Sequence, residues 1–283
     1  MFAILMGLAA ALAWGTADFA ARFSGRVLGP PLALLVVTAT GAVMVSAWLA
    51  VTGTAPPSHP TTAGLLYGAL SVIGTLALYE ALNRAPIATV APLAGAFPAW
   101  SILYMVIFDG LRPEPMVWAA MALVMAGMWL VARFASDAPD ATRKAKGGTI
   151  LALLAGGLFG LTLVAGLHAT LDHGQGPALW LARVVGVVLV IPFVWLRHRP
   201  TRLPPPGWLG LAAIQGVLDT LAFVAILAVK TEENAAIAGT VSSSFGIVTV
   251  ALARLFLKEA IHRLQWLGIM ATFAGIATLS ALG

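Results

Sequence analysis

The chain has 283 residues, of which 60% are hydrophobic and 10% are charged, and its formal net charge is +5. A soluble domain carries about 45–50% apolar and about 25% charged residues, so this composition excludes a water-soluble globular protein. Nucleic-acid binding is also disfavoured, because the basic residues lie singly between apolar runs and form no water-facing cluster.

Apolar runs follow one another along the whole chain, each close to the roughly 20 residues with which an α-helix crosses a bilayer. They predict an all-α polytopic membrane protein with ten transmembrane helices. The predicted spans are 2–21, 31–52, 61–83, 86–108, 115–134, 148–168, 177–196, 207–229, 234–257 and 263–282. The first span lacks a basic n-region and a small-residue cleavage site, so we expect a retained helix and not a removable signal peptide.

One polar segment, 135–146, interrupts the apolar runs and predicts a linker between a first half, 1–134, and a second half, 147–283. The loops after the odd-numbered spans hold 13 of the 16 Lys and Arg residues, whereas the loops on the other side hold only Arg112 and Lys230. The positive-inside rule therefore places the linker in the cytoplasm and both termini outside it. The short loops and compact body are typical of a bacterial inner-membrane protein, in which both termini would be periplasmic.

The sequence contains an internal repeat. An offset of 148 residues superposes Gly68 on Gly216, Phe97 on Phe245, Trp118 on Trp266 and Gly127 on Gly275, and an offset of 145 superposes Trp14-Gly15 on Phe159-Gly160. These coincidences predict two related units of five helices each. Because five is an odd number, the second unit must enter the membrane upside down, which gives the inverted repeats of many secondary transporters.

Ionisable side chains inside spans cost about 2.5–3.5 kcal/mol on insertion scales, so each one is a functional candidate. Asp219 is the deepest, and Gln215 lies one turn earlier on the same helix face. Asp219 either recognises a substrate amine, carries a proton, or makes a structural hydrogen bond. Asp18 is a second candidate for coupling, and Arg183 either pairs with an acid or holds a substrate carboxylate. Glu80 and Arg84 fit a structural i,i+4 pair.

Several aromatic side chains lie at depths that interfacial anchoring does not explain. The predicted substrate-binding residues are these rings and one neighbouring hydroxyl: Trp14, Tyr79, Phe97, Trp100, Ser244 and Phe245. The alternative is that the rings pack between helices. Ring pairs add about 0.5–1.5 kcal/mol beyond the burial of area, so a pocket with two or three rings favours an aromatic substrate. Pro92 and Pro98 predict a kink in the fourth span.

Short motifs in a consistent order resemble the EamA family of the drug/metabolite transporter superfamily over essentially the whole chain. They are Trp14-Gly15, Leu78-Tyr79, Ala81-Leu82, Arg84, Pro92, Phe97-Pro98, Lys258-Glu259, Gln265, Gly268 and Gly275. In the first half, Leu111 occupies the position equivalent to Glu259. The resemblance implies export of small metabolites, often amino acids, with the branch of aromatic amino-acid exporters favoured. It also implies a central cavity lined mainly by spans 1, 3, 4, 6, 8 and 9, peripheral spans 5 and 10, and no organic cofactor.

Two other functions remain as alternatives, a membrane-embedded transferase enzyme and a lipid scramblase. A metal-dependent transferase needs paired carboxylates, and the sequence has neither an aspartate-rich loop nor a phosphate loop or nucleophile elbow. His168, Asp172 and His173 are too few ligands for a metal site, and the chain has no Cys. We therefore expect a transporter without enzyme activity, metal or cofactor. Its partners would be a small-molecule substrate and membrane lipids, and it would function as a monomer.

Overall fold

The computed structural model describes residues 1–134, 143–197, 205–229, 238 and 241–282, and these residues contain helices but no strand. The helices are α1 Phe2–Leu28, α2 Pro30–Thr52, α3 Thr62–Arg84, α4 Ile87–Gly95, α5 Phe97–Phe108, α6 Pro115–Phe134, α7 Arg143–His173, α8 Gln175–Arg197, α9 Pro206–Leu227, α10 Phe245–Leu252 and α11 Arg263–Leu282. A π-helical turn, Ala253–Leu257, continues α10. The prediction of an all-α protein is confirmed for this part of the chain.

Eight helical segments are long and apolar enough to cross a membrane, with α4 and α5 together forming one of them. They correspond to the first eight predicted spans, and α11 corresponds to the tenth. Six of the 24 residues of the ninth predicted span, 234–237, 239 and 240, lie outside the described residues, as does most of the linker 135–146. The count of ten transmembrane helices therefore stays a prediction.

Two helices are longer than predicted. Predicted span 1 ends at residue 21, whereas α1 continues past Arg22 and Arg26 to Leu28 and stops at Gly29, whose φ is 78°. Likewise α7 extends to His173 and stops at Gly174, whose φ is 81°. A charged residue lowers the hydropathy of a sequence window but does not break backbone hydrogen bonding, whereas Gly in a left-handed conformation does end a helix.

The fourth span is broken, as its two prolines predict. Ala96 separates α4 from α5 and has a φ of −74° and a ψ of 11°. Pro92 lies inside α4, and Pro98 lies in the first turn of α5. Since Pro98 has no backbone N–H, it cannot continue the hydrogen bonding of α4, and the chain starts a new helix there.

Helix pairing follows the internal repeat. The pairing of α3 with α7 has its counterpart in α1 with α9, and the pairing of α4 and α5 with α7 has its counterpart in α10 with α1. Equivalent glycines make equivalent contacts: a Cβ on Gly15 would lie 2.7 Å from the Phe245 carbonyl oxygen, and one on Gly160 would lie 3.1 Å from that of Phe97. The pairing is thus what two related halves would produce.

The pair α6 and α11 packs mainly on itself, at the edge of the bundle. Close approach depends on glycines, because a Cβ on Gly127 would lie 2.5 Å from the Thr272 hydroxyl oxygen. This edge position agrees with the peripheral role that the family resemblance implies for spans 5 and 10. The remaining helices, apart from α4, line the cavity described next.

Candidate functional site: a central cavity

A cavity of about 510 Å³ lies between α1, α2, α3, α5, α7, α8, α9 and α10. Its volume falls within the range of about 300–1,000 Å³ that is typical of small-molecule sites. Thr170 and Gln175 line it beside the junction of α7 and α8, and Asp18, Tyr79 and Gln215 line it further along the bundle. The spans that the resemblance implies all contribute, and α2 and α8 contribute as well.

An ion pair lies in the cavity wall. Arg183 of α8 donates through Nη2 to Oδ2 of Asp219 on α9. Trp14 of α1 donates through its indole Nε1 to Oδ1 of the same carboxylate at 3.1 Å. Both oxygens of Asp219 therefore have donors, and three helices meet at one carboxylate. Of the two roles expected for Arg183, pairing with an acid is the one present in this structure.

Aromatic rings form an apolar wall beside this pair. Trp14 packs edge to face on Phe223, with ring centroids 5.1 Å apart, and on Phe245 at 6.2 Å. Phe245 in turn stacks on Phe97 at 6.5 Å. The Arg183 guanidinium lies 5.3 Å from the centroid of the Phe223 ring, within cation–π range. The cavity thus places one cation and one anion next to several rings.

Further along the cavity, three polar side chains have unused hydrogen-bonding capacity. Asp18 makes no hydrogen bond or ion pair within the described part of the chain. Gln215 is fully buried; its Oε1 accepts from the Ser24 hydroxyl at 3.0 Å, and its Nε2 has no partner there. Tyr79 is buried and also lines the cavity. Unused polar groups of this kind are suited to a ligand or water.

Beyond Asp18, the amino end of α4 is capped from a distant part of the chain. Pro86 precedes the helix and offers no side-chain cap. Glu259 instead accepts from the backbone N–H of Ile87 at 3.0 Å and from that of Ala88 at 3.0 Å. A carboxylate is favourable at this position because the first-turn N–H groups are unpaired and the helix dipole is positive there.

Arg22, one turn after Asp18 on α1, contacts both the end of α3 and Glu259 in the same region. It donates through Nη1 to the carbonyl oxygens of Leu82 at 2.8 Å and Ala85 at 2.7 Å, at the end of α3. Its Nη2 lies 3.8 Å from Glu259 Oε1. We refer to Arg22, Glu259 and the backbone groups that they bind as the closed-end cluster. It joins α1, α3, α4 and the segment after α10.

Most of the predicted site residues line the cavity. They are Trp14, Asp18, Tyr79, Phe97, Arg183, Gln215, Asp219 and Phe245. Trp100 does not: it packs against Gly160 of α7 and stacks on Tyr104 at 6.5 Å. Ser244 donates to the Val241 carbonyl at 2.6 Å and is not a lining residue either. A substrate role for these two residues stays a prediction.

Several lining residues were missing from the sequence-based set, notably Tyr67, Phe159 and Phe223. Two of them carry a signal in the sequence. Tyr67 begins a four-residue ladder that continues through Ser71 and Thr75 to Tyr79, and Phe223 lies four residues after Asp219. Both residues follow from i,i+4 spacing, from Tyr79 back to Tyr67 on one helix and from Asp219 on to Phe223 on another. Phe159 has no comparable signal beyond its superposition on Trp14.

The Glu80–Arg84 pair lies outside this site. Arg84 donates through Nη2 to Glu80 Oε2 at 2.7 Å, as predicted for an i,i+4 pair. Neither residue lines the cavity.

Comparison with known proteins gives two findings. The sequence model of the EamA-like transporter family matches residues 1–133 and 146–281. A solved structure described only as "Crystal structure of protein" is similar to this fold with a TM-score of 0.66, covering 98% of this chain and 95% of its own, at 18% sequence identity. No curated protein matches the sequence at a significant level.

Proposed function

Because the chain belongs to the EamA-like transporter family, we propose that this membrane transporter of small molecules exports amino acids, including aromatic ones, across the bacterial inner membrane. It would act as a secondary transporter by alternating access through the central cavity. The one observation that carries the proposal is the Arg183–Asp219 pair beside the rings of Trp14, Phe223 and Phe245.

An amino acid has the two charges that complement this pair. Its carboxylate matches the Arg183 guanidinium, and its ammonium group matches the Asp219 carboxylate, so a bound zwitterion would replace the two partners with its own groups. The rings beside the pair would contact an aromatic side chain edge to face or stacked. An ordinary neutral metabolite would leave both charges without compensation once the pair had opened.

The arrangement of the cavity supports alternating access by two inverted halves. The cavity lining reaches the junction of α7 and α8, which the positive-inside rule places on the periplasmic side. The closed-end cluster lies at the other end, where Arg22 and Glu259 hold α3 and α4. The protein would thus be open to the periplasm in this state. One chain would enclose the whole pathway, consistent with a functional monomer.

The proposal is tested by counterflow in liposomes that contain the purified protein. Liposomes loaded with unlabelled phenylalanine should accumulate labelled phenylalanine from outside, and external tyrosine or tryptophan should compete better than alanine. Arg112→Gln, which changes an exposed arginine outside the cavity, serves as the control and should behave as the unaltered protein. Lack of counterflow with every amino acid tested would contradict the proposal. Fluorescent-lipid translocation in the same liposomes would then support the scramblase alternative.

The proposed orientation has its own test, because the chain has no Cys. A cysteine introduced by Ser58→Cys should react with an impermeant thiol reagent added outside the cell, and one introduced by Ala141→Cys should not. The opposite labelling pattern would reverse the topology and would place the open end of the cavity on the cytoplasmic side.

A further inference from the structure

The cavity contains two carboxylates but a single guanidinium among its described lining residues. Asp219 uses both oxygens, one with Arg183 and one with Trp14. Asp18 lines the same cavity, is within range of the Asp219 charge, and has no hydrogen-bond or ion-pair partner among the described groups. The one cation among these lining residues is therefore paired with Asp219, and Asp18 lacks a counter-charge there.

No uncommitted cation faces Asp18 among the described residues. Arg22, one turn later on α1, binds the Leu82 and Ala85 carbonyls and lies 3.8 Å from Glu259 Oε1. Asp219 with its partner Arg183 comes from α9 and α8, and Tyr79 comes from α3. The described residues of α2 and α10 contain no ionisable side chain. A carboxylate at membrane depth is costly without compensation, so Asp18 needs a positive partner from outside the protein. Two are available in an amino-acid transporter, a proton and the ammonium group of the substrate.

We propose that Asp18 is the proton-binding residue that couples export to proton entry, an inference that rests on the proposed amino-acid transport. When the zwitterion binds at Arg183 and Asp219, its ammonium group supplies positive charge near Asp18, and the proton on Asp18 passes to water. When the substrate leaves to the periplasm, a proton from the periplasm binds the Asp18 carboxylate. One proton is exchanged for each substrate, and no further reactant is needed.

Asp219 is less suited to this role, although its position near the middle of the eighth predicted span makes it the first candidate for coupling. Protonation of Asp219 would remove the charge that holds Arg183 and would leave a guanidinium in the cavity wall without an anion. Protonation of Asp18 breaks no interaction with the described residues. Asp219 would thus bind the substrate, and Asp18 would bind the proton.

Proton release on substrate binding tests this directly. Purified protein in weakly buffered detergent solution, with a pH indicator, should release up to one proton per phenylalanine bound, with binding measured in parallel by equilibrium dialysis of labelled phenylalanine. Asp18→Asn should still bind phenylalanine with lowered affinity and should release no proton. Asp18→Glu, which keeps a titratable group, should restore release. Asp109→Asn, at an exposed acid outside the cavity, is the matched control and should release as the unaltered protein does.

The possible failures are distinguishable. Phenylalanine binding without proton release in the unaltered protein would overturn the role of Asp18 and would leave the proposed function standing. Undiminished release in Asp18→Asn, or no release in a folded Asp18→Glu variant, would overturn it in the same way. If the unaltered protein binds no amino acid, the proposed function fails and the coupling role falls with it.

Discussion

Two pairs of opposite charges lie at different places along the helix bundle, and their burial is similar. The exposed fractions are 11% for Arg183 and 23% for Asp219 in the cavity, and 13% for Arg22 and 11% for Glu259 in the closed-end cluster. Their partners differ. Among the described residues, the cavity pair hydrogen-bonds to side chains only, whereas Arg22 and Glu259 hydrogen-bond to backbone groups at the end of α3 and the start of α4.

This difference in partners assigns a different physical role to each pair. A side-chain partner can rotate away when a ligand offers an equivalent group, so Arg183 and Asp219 can exchange each other for a substrate. A backbone partner moves only with its helix, so the closed-end cluster can open only if α3 or α4 moves relative to α1. The first pair is suited to recognition, and the second to closing the pathway.

The largest expected effect comes from removing the cation of the cavity pair. Arg183→Gln leaves Asp219 without a counter-ion, at a cost of about 3 kcal/mol for a broken buried pair. It also removes the proposed carboxylate partner of the substrate. Loss of one partner of a hydrogen-bonded charge pair costs about 3 kcal/mol in binding. We expect phenylalanine counterflow to fall by about 100-fold, since 1.4 kcal/mol corresponds to a factor of ten.

A double variant separates folding from recognition at this pair. Arg183→Gln combined with Asp219→Asn removes the uncompensated charge and should recover much of the thermal stability in detergent. It should not recover counterflow, because neither charge of the zwitterion then has a partner. Recovery of transport in the double variant would show that the pair is structural only, and the comparison with the closed-end cluster would lose its basis.

A smaller effect is expected at the closed-end cluster. Glu259→Gln keeps one acceptor oxygen for the first turn of α4 but loses the second hydrogen bond and the charge near Arg22. The expected loss of stability is about 1–2 kcal/mol, as for other helix caps. Asp109→Asn, at an exposed acid after the end of α5, is the control and should leave the unfolding midpoint unchanged.

The same substitution should make the closed end easier to open. Ser24 is fully buried where it donates to Gln215, so a cysteine introduced by Ser24→Cys reports access to this region. In inside-out vesicles, an impermeant thiol reagent should label it faster when Glu259→Gln is also present. Equal labelling rates with and without Glu259→Gln would mean that the cluster stabilises α4 but does not close the pathway.

The sequence was sufficient for features that carry their own local signal. Each span is apolar over about 20 residues, and the prolines mark the break between α4 and α5. Arg183 and Asp219 were identified separately because charges are rare inside spans. That they pair with each other was open, since they lie on different helices and only packing brings them together.

Long-range contacts explain what the sequence did not reveal. Glu259 caps α4 across 172 residues of sequence, and nothing near Ile87 indicates where its cap comes from. Trp14 and Trp100 lie at comparable depths in their spans. The depth of a residue does not predict which neighbouring helix its side chain contacts. Packing turns Trp14 into the cavity and Trp100 toward Gly160.

The two tryptophans provide the finest test of the cavity as a specificity site. Trp14→Leu removes the ring that contacts Phe223 and Phe245, each such contact being worth about 0.5–1.5 kcal/mol. We expect the ratio of phenylalanine to alanine counterflow to fall by roughly fivefold, which corresponds to about 1 kcal/mol. Trp100→Leu, an equal change in side-chain type outside the cavity lining, should leave this ratio unchanged.

The ratio is the useful quantity because Trp14 also donates a hydrogen bond to Asp219. Loss of that bond weakens the site for every amino acid alike and cancels when two substrates are compared in the same variant. Phe245→Leu adds a check, since this ring lines the cavity and makes no hydrogen bond through its side chain. It should lower the ratio in the same direction as Trp14→Leu. If Trp100→Leu lowers the ratio as much as either cavity variant, the rings act through helix packing, and the proposed preference for aromatic amino acids is contradicted.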